Sequence, residues 1–202
     1  ADGQHWRARA QAILTGVGTV LTDDPLLTVR LERPHLKMQP ALAVLDHALR
    51  TPTQAQLFEA KNSTTKPRPI WLFAADDGST ERQSRAHALQ AKGAEWVKTD
   101  PSQLDLVLQE LARREINEVH VEAGPTLTGA LLSGGWVDEV LLYLAPKFLG
   151  PGRPLAHLPE LSQLDFTSDQ TPPGLGWQFV DITSTGPDLR LRLRKASAIH
   201  SS

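Results

Sequence analysis

AILTGVGTVLTDDPLLTVR, residues Ala12–Arg30, and VHVEAGPTLTGALL, residues Val119–Leu132, decide the architecture of this 202-residue chain. Each begins as a short apolar run of strand character, passes through small residues at Gly16–Gly18 or Ala123–Gly124, and opens a helix. A helix start exposes backbone N–H groups and a partial positive charge, so a strand that delivers the chain into one creates a ready site for phosphate. Two such junctions suit a dinucleotide.

Outward from these junctions, strand-like runs at Ala12–Thr15, Ala41–Leu45, Ile70–Ala74, Ala94–Lys98, Glu118–Glu122 and Glu139–Leu144 alternate with helical segments. Thr80–Ala91 and Ser102–Glu115 carry leucine and alanine at helical spacing, and Pro125 starts a helix to Ser133. Trp177–Thr183 and Asp188–Arg194 read as two strands joined by a turn at Gly186–Pro187, closing one side of the sheet. In Asp188–Arg194, leucines alternate with arginines, the pattern of one buried and one solvated face. The expected fold class is α/β: a single-domain three-layer sandwich, with a mostly parallel mixed sheet flanked by helices and a C-terminal antiparallel hairpin. Glu32–Gln39 and Asn62–Pro69 read as surface loops, and residues 196–202 as a frayed tail after a domain covering 1–195.

Composition narrows the chemistry. A formal charge of −2 with 22% charged residues gives no bias toward a polyanion, so nucleic acid is not an expected partner. No apolar run is long enough to span a membrane and no secretory signal is visible, which makes cytoplasm the expected location. The chain has no cysteine, which excludes disulfides, thiolate nucleophiles and cysteine-ligated metal. Its seven histidines form no H-E-x-x-H and no i, i+4 pair, so no metal site is expected. Neither a G-x-S-x-G elbow nor a phosphate-binding G-x-x-x-x-G-K-[ST] loop occurs.

At the first junction position 21 is leucine, so the dinucleotide-binding G-x-G-x-x-G pattern is absent. Thr19 and Asp23 share a helical face, Pro25 ends the helix, and Thr28 and Arg30 follow closely. Two readings fit: a cluster for hydroxyls, an amine and a phosphate, or an aspartate pair ending a short helix beside a solvated arginine. At the second junction Glu122 closes a strand at the carboxyl edge, where open α/β sheets place ligands. It suits either a cap for the next helix or a carboxylate that binds a hydroxyl or relays a proton. Gly129, inside that helix, implies close approach of a ligand, another backbone or a packed helix.

Together these stretches resemble the reductase domain of the bacterial riboflavin-biosynthesis deaminase/reductase, within the dihydrofolate-reductase-like superfamily. The resemblance rests on RARAQAILTGVGTVLTDDPLLTVR from Arg7, VEAGPTLTGALLSGGWVDEVLLYLAPKFLG from Val121, TGPDLRLRLR from Thr185, and the pattern LDHALRTP from Leu45. It implies NADPH-dependent reduction of 5-amino-6-(5-phosphoribosylamino)uracil to its ribityl counterpart, a dihydrofolate-reductase-like fold and a homodimer. Thr19, Asp23, His47, Gly124, Pro125, Thr126, Leu127, Thr128, Gly129 and Ala130 would line NADPH. Arg7, Leu27, Arg30 and Glu122 would contact the substrate, the arginines suiting its phosphate by their planar, permanently charged forks. Asp23 and Glu122 are the candidates for handling the proton that accompanies hydride transfer.

Two features depart from the family pattern. His47 stands where a small hydroxyl residue is expected. The usual first strand, with its lysine and Ser-Leu-Asp-Gly turn, has no counterpart before His5, so the expectation is a fragment or a loss of residues between Gln4 and His5. The zinc deaminase half of the family's full-length protein is absent from this sequence, so no deamination is expected of it. Two other classes stay open: a related NADPH reductase acting on another small substrate, and a non-catalytic fragment that binds nucleotide or dimerises.

Overall fold

Ala12–Thr15, Ala41–Leu45 and Ile70–Phe73 lack polar alternation, the signature of strands covered on both faces. The computed structural model, which describes residues 2–31, 39–59, 67–158 and 176–195, places them at the centre of a five-stranded parallel sheet. The chain divides into two units, Ala1–Gly124 and Pro125–Ser202.

The first unit runs α1 (Asp2–Arg9), β1 (Ala12–Gly16), α2 (Val17–Asp23), β2 (Ala41–Leu45), a 3-10 turn at Gln56–Phe58, β3 (Ile70–Phe73), α3 (Thr80–Gln90), β4 (Ala94–Val97), α4 (Leu104–Arg113) and β5 (Val119–Val121). Strand order is β4-β3-β2-β1-β5, with Ala12 in register with both Ala41 and Val119. Ile13, Leu42, Val44, Ile70, Leu72 and Ala94 share one sheet face and form a core with Val17 and Val20 of α2 and Ala86 and Leu89 of α3. On the opposite face the Arg114 guanidinium lies 4.8 Å above the Trp71 ring, so the end of α4 covers that side and the unit has three layers. Val107 and Leu111 bury the apolar stripe of α4, each contributing about 1.5–3 kcal/mol. β4 is an edge strand that keeps Ala94 and Val97 inside and turns Glu95 outward, where Arg114 takes it up.

Successive strands step away from β1 as far as β4, and the chain then returns to pair β5 on the other side of β1. The β1/β5 boundary is therefore the topological switch point, and its carboxyl edge is where a parallel α/β sheet leaves a crevice.

The second unit comprises α5 (Pro125–Ser133), β6 (Glu139–Leu144), β7 (Trp177–Thr185) and β8 (Asp188–Lys195), with a separate antiparallel sheet of order β6-β8-β7. Gly186, at φ 62°, opens the two-residue β7–β8 turn. The α/β class, the mostly parallel sheet flanked by helices and the C-terminal antiparallel hairpin stand as expected. β6 joins the hairpin because its whole length pairs with β8, from Glu139 opposite Arg194 to Leu144 opposite Leu189. The β8 arginines are not simply solvated: Arg190 pairs with Asp181, and Arg192 and Arg194 share Glu139.

Nothing in the sequence pattern marks Asp2–Arg9 as a helix, yet α1 forms there. It buries no residue and is tied down by polar side chains instead. Loops 32–39 and 62–69 lie outside the described residues apart from their last positions, and the 196–202 tail lies outside them altogether. Among the described residues, no helix is long and apolar enough to cross a membrane.

Candidate active site

The carboxyl ends of β1 and β5 are stitched together around one carboxylate. The Glu122 N–H donates to the Leu14 carbonyl at 3.0 Å, and the buried Thr15 hydroxyl donates to the Glu122 carbonyl at 2.6 Å. That hydroxyl bond is what lets a threonine sit fully buried in β1.

Arg7 reaches the Glu122 side chain from α1. Its Nε donates to Oε1 at 2.6 Å and its Nη2 to Oε2 at 2.5 Å, a two-pronged grip, while Nη1 donates to the Thr28 carbonyl at 2.6 Å. The two side chains are 13% and 25% exposed, so the pair is half-shielded from water and more strongly held than a surface ion pair. Gln4, one turn before Arg7, accepts from the Arg30 N–H at 2.7 Å, so a single face of α1 holds both ends of Thr28–Arg30.

His120 lies two residues before Glu122 on the same face of β5, its Nε2 3.5 Å from Oε1. Burial lowers its pKa below the ordinary imidazole value; Glu122 and Glu118 pull the other way, and Arg7 adds to the lowering. Burial thus favours the neutral ring beside the Arg7–Glu122 pair. Spacing of i, i+2 on a strand was the signal that could have singled out His120.

The other expected site residues fall into groups. Thr19 lies half-buried on α2, and Asp23 is exposed at its last turn. Arg30 is exposed just beyond Thr28, whereas Leu27 is only 4% exposed and packs into the core, so only its backbone is left to face a ligand. Among the described residues, nothing beyond the adjoining backbone lies within 4 Å of where a Cβ would stand on Gly18 or Gly124, and Gly16 gives the start of α2 no side-chain cap. His47 follows β2 at the same carboxyl edge, two residues beyond Leu45, the register partner of Gly16. It is 68% exposed after β2, 3.6 Å from Asp100, and its carbonyl accepts from Arg82 at 2.6 Å.

In the second unit, Pro125, Thr126, Leu127, Thr128, Gly129 and Ala130 form the first turns of α5. A Cβ at Gly129 would overlap the main-chain carbonyl of His157, which explains that glycine by backbone approach. The His157 N–H donates to the Pro125 carbonyl at 2.9 Å, and its Nδ1 lies 3.3 Å from the Thr126 hydroxyl. Among the described residues, no cluster of histidine, aspartate or glutamate could hold a metal ion.

A family model described as the RibD C-terminal domain matches residues 1–191. The chain is similar to the riboflavin biosynthesis protein RibD of Escherichia coli K12, at 35% identity over 95% of this chain and 51% of that protein. It is also similar to the 5-amino-6-(5-phosphoribosylamino)uracil reductase of Buchnera aphidicola from Acyrthosiphon pisum, at 30% identity over 95% of this chain and 90% of that one. A solved structure of Acinetobacter baumannii RibD superimposes with a TM-score of 0.72 at 29% identity, over 96% of this chain and 49% of that one. The chain thus spans about half the length of the RibD proteins it matches. With an arginine-held glutamate at the carboxyl edge of the switch point, and a family model matched over residues 1–191, the chain belongs to the RibD C-terminal domain family.

Proposed function

We propose that this chain is an NADPH-dependent reductase that converts 5-amino-6-(5-phosphoribosylamino)uracil to 5-amino-6-(5-phosphoribitylamino)uracil in riboflavin biosynthesis. The observation that carries the reading is the Arg7–Glu122 pair at the carboxyl edge of the switch point, flanked by glycines whose missing side chains leave open space. The similarity to a reductase that the chain covers over 90% of its length supports it.

The residues present fit a nicotinamide dinucleotide. Gly18 and Gly124 leave room for a close approach, and the start of α2 has no side-chain cap. In the first unit Thr19, Asp23 and Gly124 take the cofactor; for Pro125–Ala130 and His47 the reading rests on the family resemblance. NADPH, when bound, supplies the hydride.

The chain's own residues bind, orient and manage one proton. Glu122, held in place by the two-pronged grip of Arg7, retains lone pairs for a substrate N–H or O–H and aligns the sugar carbon C1. Arg30, exposed beyond Thr28, takes the substrate phosphate. With C1 of the ring-opened imine reduced, the imine nitrogen would need one proton, and Asp23 or Glu122, or a water that either holds, would supply it. In the full-length protein this domain is joined to a zinc deaminase domain, works in the cytoplasm and pairs as a homodimer.

The test is NADPH oxidation by this chain with the phosphorylated aminopyrimidine, run beside NADH and a dephosphorylated substrate. Turnover that needs the substrate phosphate and prefers NADPH to NADH is the expected result. NADPH binding without turnover would leave a nucleotide-binding domain and overturn the reductase reading.

A further inference from the structure

Arg68 precedes β3, is only 5% exposed, and faces main-chain carbonyls rather than a carboxylate. Its Nη1 donates to the Leu27 carbonyl, and its Nη2 to the Leu26 carbonyl at 2.8 Å and the Leu57 carbonyl at 3.2 Å. Its Nε has no hydrogen-bond partner among the described residues. Burial, with a smaller push from the Arg7 charge, lowers its pKa to about 10, so it still carries a full charge at pH 7. Holding a guanidinium in the interior against carbonyl dipoles alone is costly, and an apolar side chain of the same length would fill the space at less expense.

What Arg68 holds gives the arrangement a purpose. Leu27 sits at φ 49°, in the left-handed region that a bulky side chain avoids, and the next residue is Thr28, whose carbonyl receives Arg7. Apart from Arg7 on Thr28, the rest of the segment is tied by neutral groups and the half-buried Asp24 carboxylate. Gln39 brackets Val29 at 2.7 and 3.0 Å, Gln4 holds Arg30, and Asp24 accepts from the Gln56 N–H at 2.8 Å. Of the two arginines on this segment, Arg7 takes the Thr28 carbonyl, and Arg68 grips the two carbonyls at the strained step before it.

We propose that Arg68 is a positioning residue for the substrate side of this site: by clamping the Leu26 and Leu27 carbonyls it sets where Thr28–Arg30 stand relative to the Arg7–Glu122 pair. The proposal rests on the reductase reading for its effect on substrate. Its effect on the segment is independent of that reading.

The experiment compares wild type with Arg68→Met, which keeps the volume, and Arg68→Lys, which keeps the charge but offers fewer donors in one plane. Each is measured for KM and kcat with the phosphorylated substrate, for NADPH affinity, and for amide hydrogen exchange over Asp24–Arg30. In Arg68→Met, KM is expected to rise about tenfold, NADPH affinity to stay within about twofold, and exchange at Val29 and Arg30 to quicken about tenfold. Arg68→Lys should fall between, and it carries the test if Arg68→Met does not fold. Unchanged KM in a folded variant, or KM and NADPH affinity worsening in parallel, overturns the proposal. If the wild type does not turn over this substrate, the reductase reading fails and exchange decides for Arg68 alone. Faster exchange confined to this segment supports the clamp, and unchanged exchange overturns it.

Discussion

Glu122→Gln and Arg7→Met, singly and together, give a direct measure of what holds the candidate site in shape. Glutamine preserves the shape of residue 122 but removes the charge and turns one of the two accepting oxygens into a donor, so one prong of the Arg7 grip becomes repulsive. Fully exposed ion pairs contribute about 0–1 kcal/mol, and removing one partner of a fully buried pair costs about 3–5 kcal/mol. With side chains 13% and 25% exposed, this pair falls between, and a coupling of about 2 kcal/mol is expected. Because residues 7 and 122 are far apart in sequence, the unfolded chain does not share the interaction, and the coupling reports on the folded state. The assay is urea unfolding of the four proteins in a background with Trp136 and Trp177 changed to phenylalanine, so that emission comes from Trp6, Trp71 and Trp96 in the first unit. Glu122→Gln alone should lower Tm by about 4–8 °C. A coupling below about 0.5 kcal/mol would refute the claim that this pair closes the β1/β5 edge.

Two glycines should respond in opposite ways to alanine. Gly18→Ala meets open space inside a helix and should leave stability unchanged or raise it by up to about 1 kcal/mol while weakening NADPH binding; Gly129→Ala collides with the His157 backbone and should lose about 1–3 kcal/mol, both read by thermal melts and cofactor titration. Asp46 is fully buried and accepts from the Arg50 N–H, the Thr51 N–H and the Thr51 hydroxyl, so Asp46→Asn sets an NH2 against donors and should cost about 2 kcal/mol by denaturant unfolding. The Arg114 hydrogen bonds hold the Glu95 carboxyl below the usual range; in Glu110, burial pushes upward but the bonds from Arg113 and Arg114 outweigh it. A carboxylate whose folded pKa is depressed adds stability above its unfolded value and loses it as pH falls through the folded one. The Tm gap between wild type and Arg114→Met should therefore be widest near pH 7 and close toward roughly pH 3. A gap that widens in acid would contradict these contacts.

Legibility in the sequence followed apolar burial. β1, β2 and β3 were readable because a strand covered on both faces must be apolar at every position, and α4 because its leucines and valine repeat at helical spacing. The short apolar run ending in Glu122 was readable for the same reason, and so was the glycine junction after it. α1 was not, because it buries no residue and is fastened by Gln4 and Arg7, whose partners lie far along the chain. Alternation marks β6, β7 and β8 as strands without saying which neighbour each will choose, so the order β6-β8-β7 within the second unit was not legible.

Sequence by itself determined the α/β class, the two glycine junctions, the absence of thiol chemistry and the residues to be weighed for the site. Each of these depends on residue type and on spacing within one segment. Tertiary structure alone decided that Arg7 grips Glu122, that Leu27 turns into the core, that the His157 backbone fills the space beside Gly129, and that His47 stands with Asp100. Those outcomes come from pairings between distant segments, where strand order and hydrogen-bond geometry choose among partners that local sequence leaves equivalent.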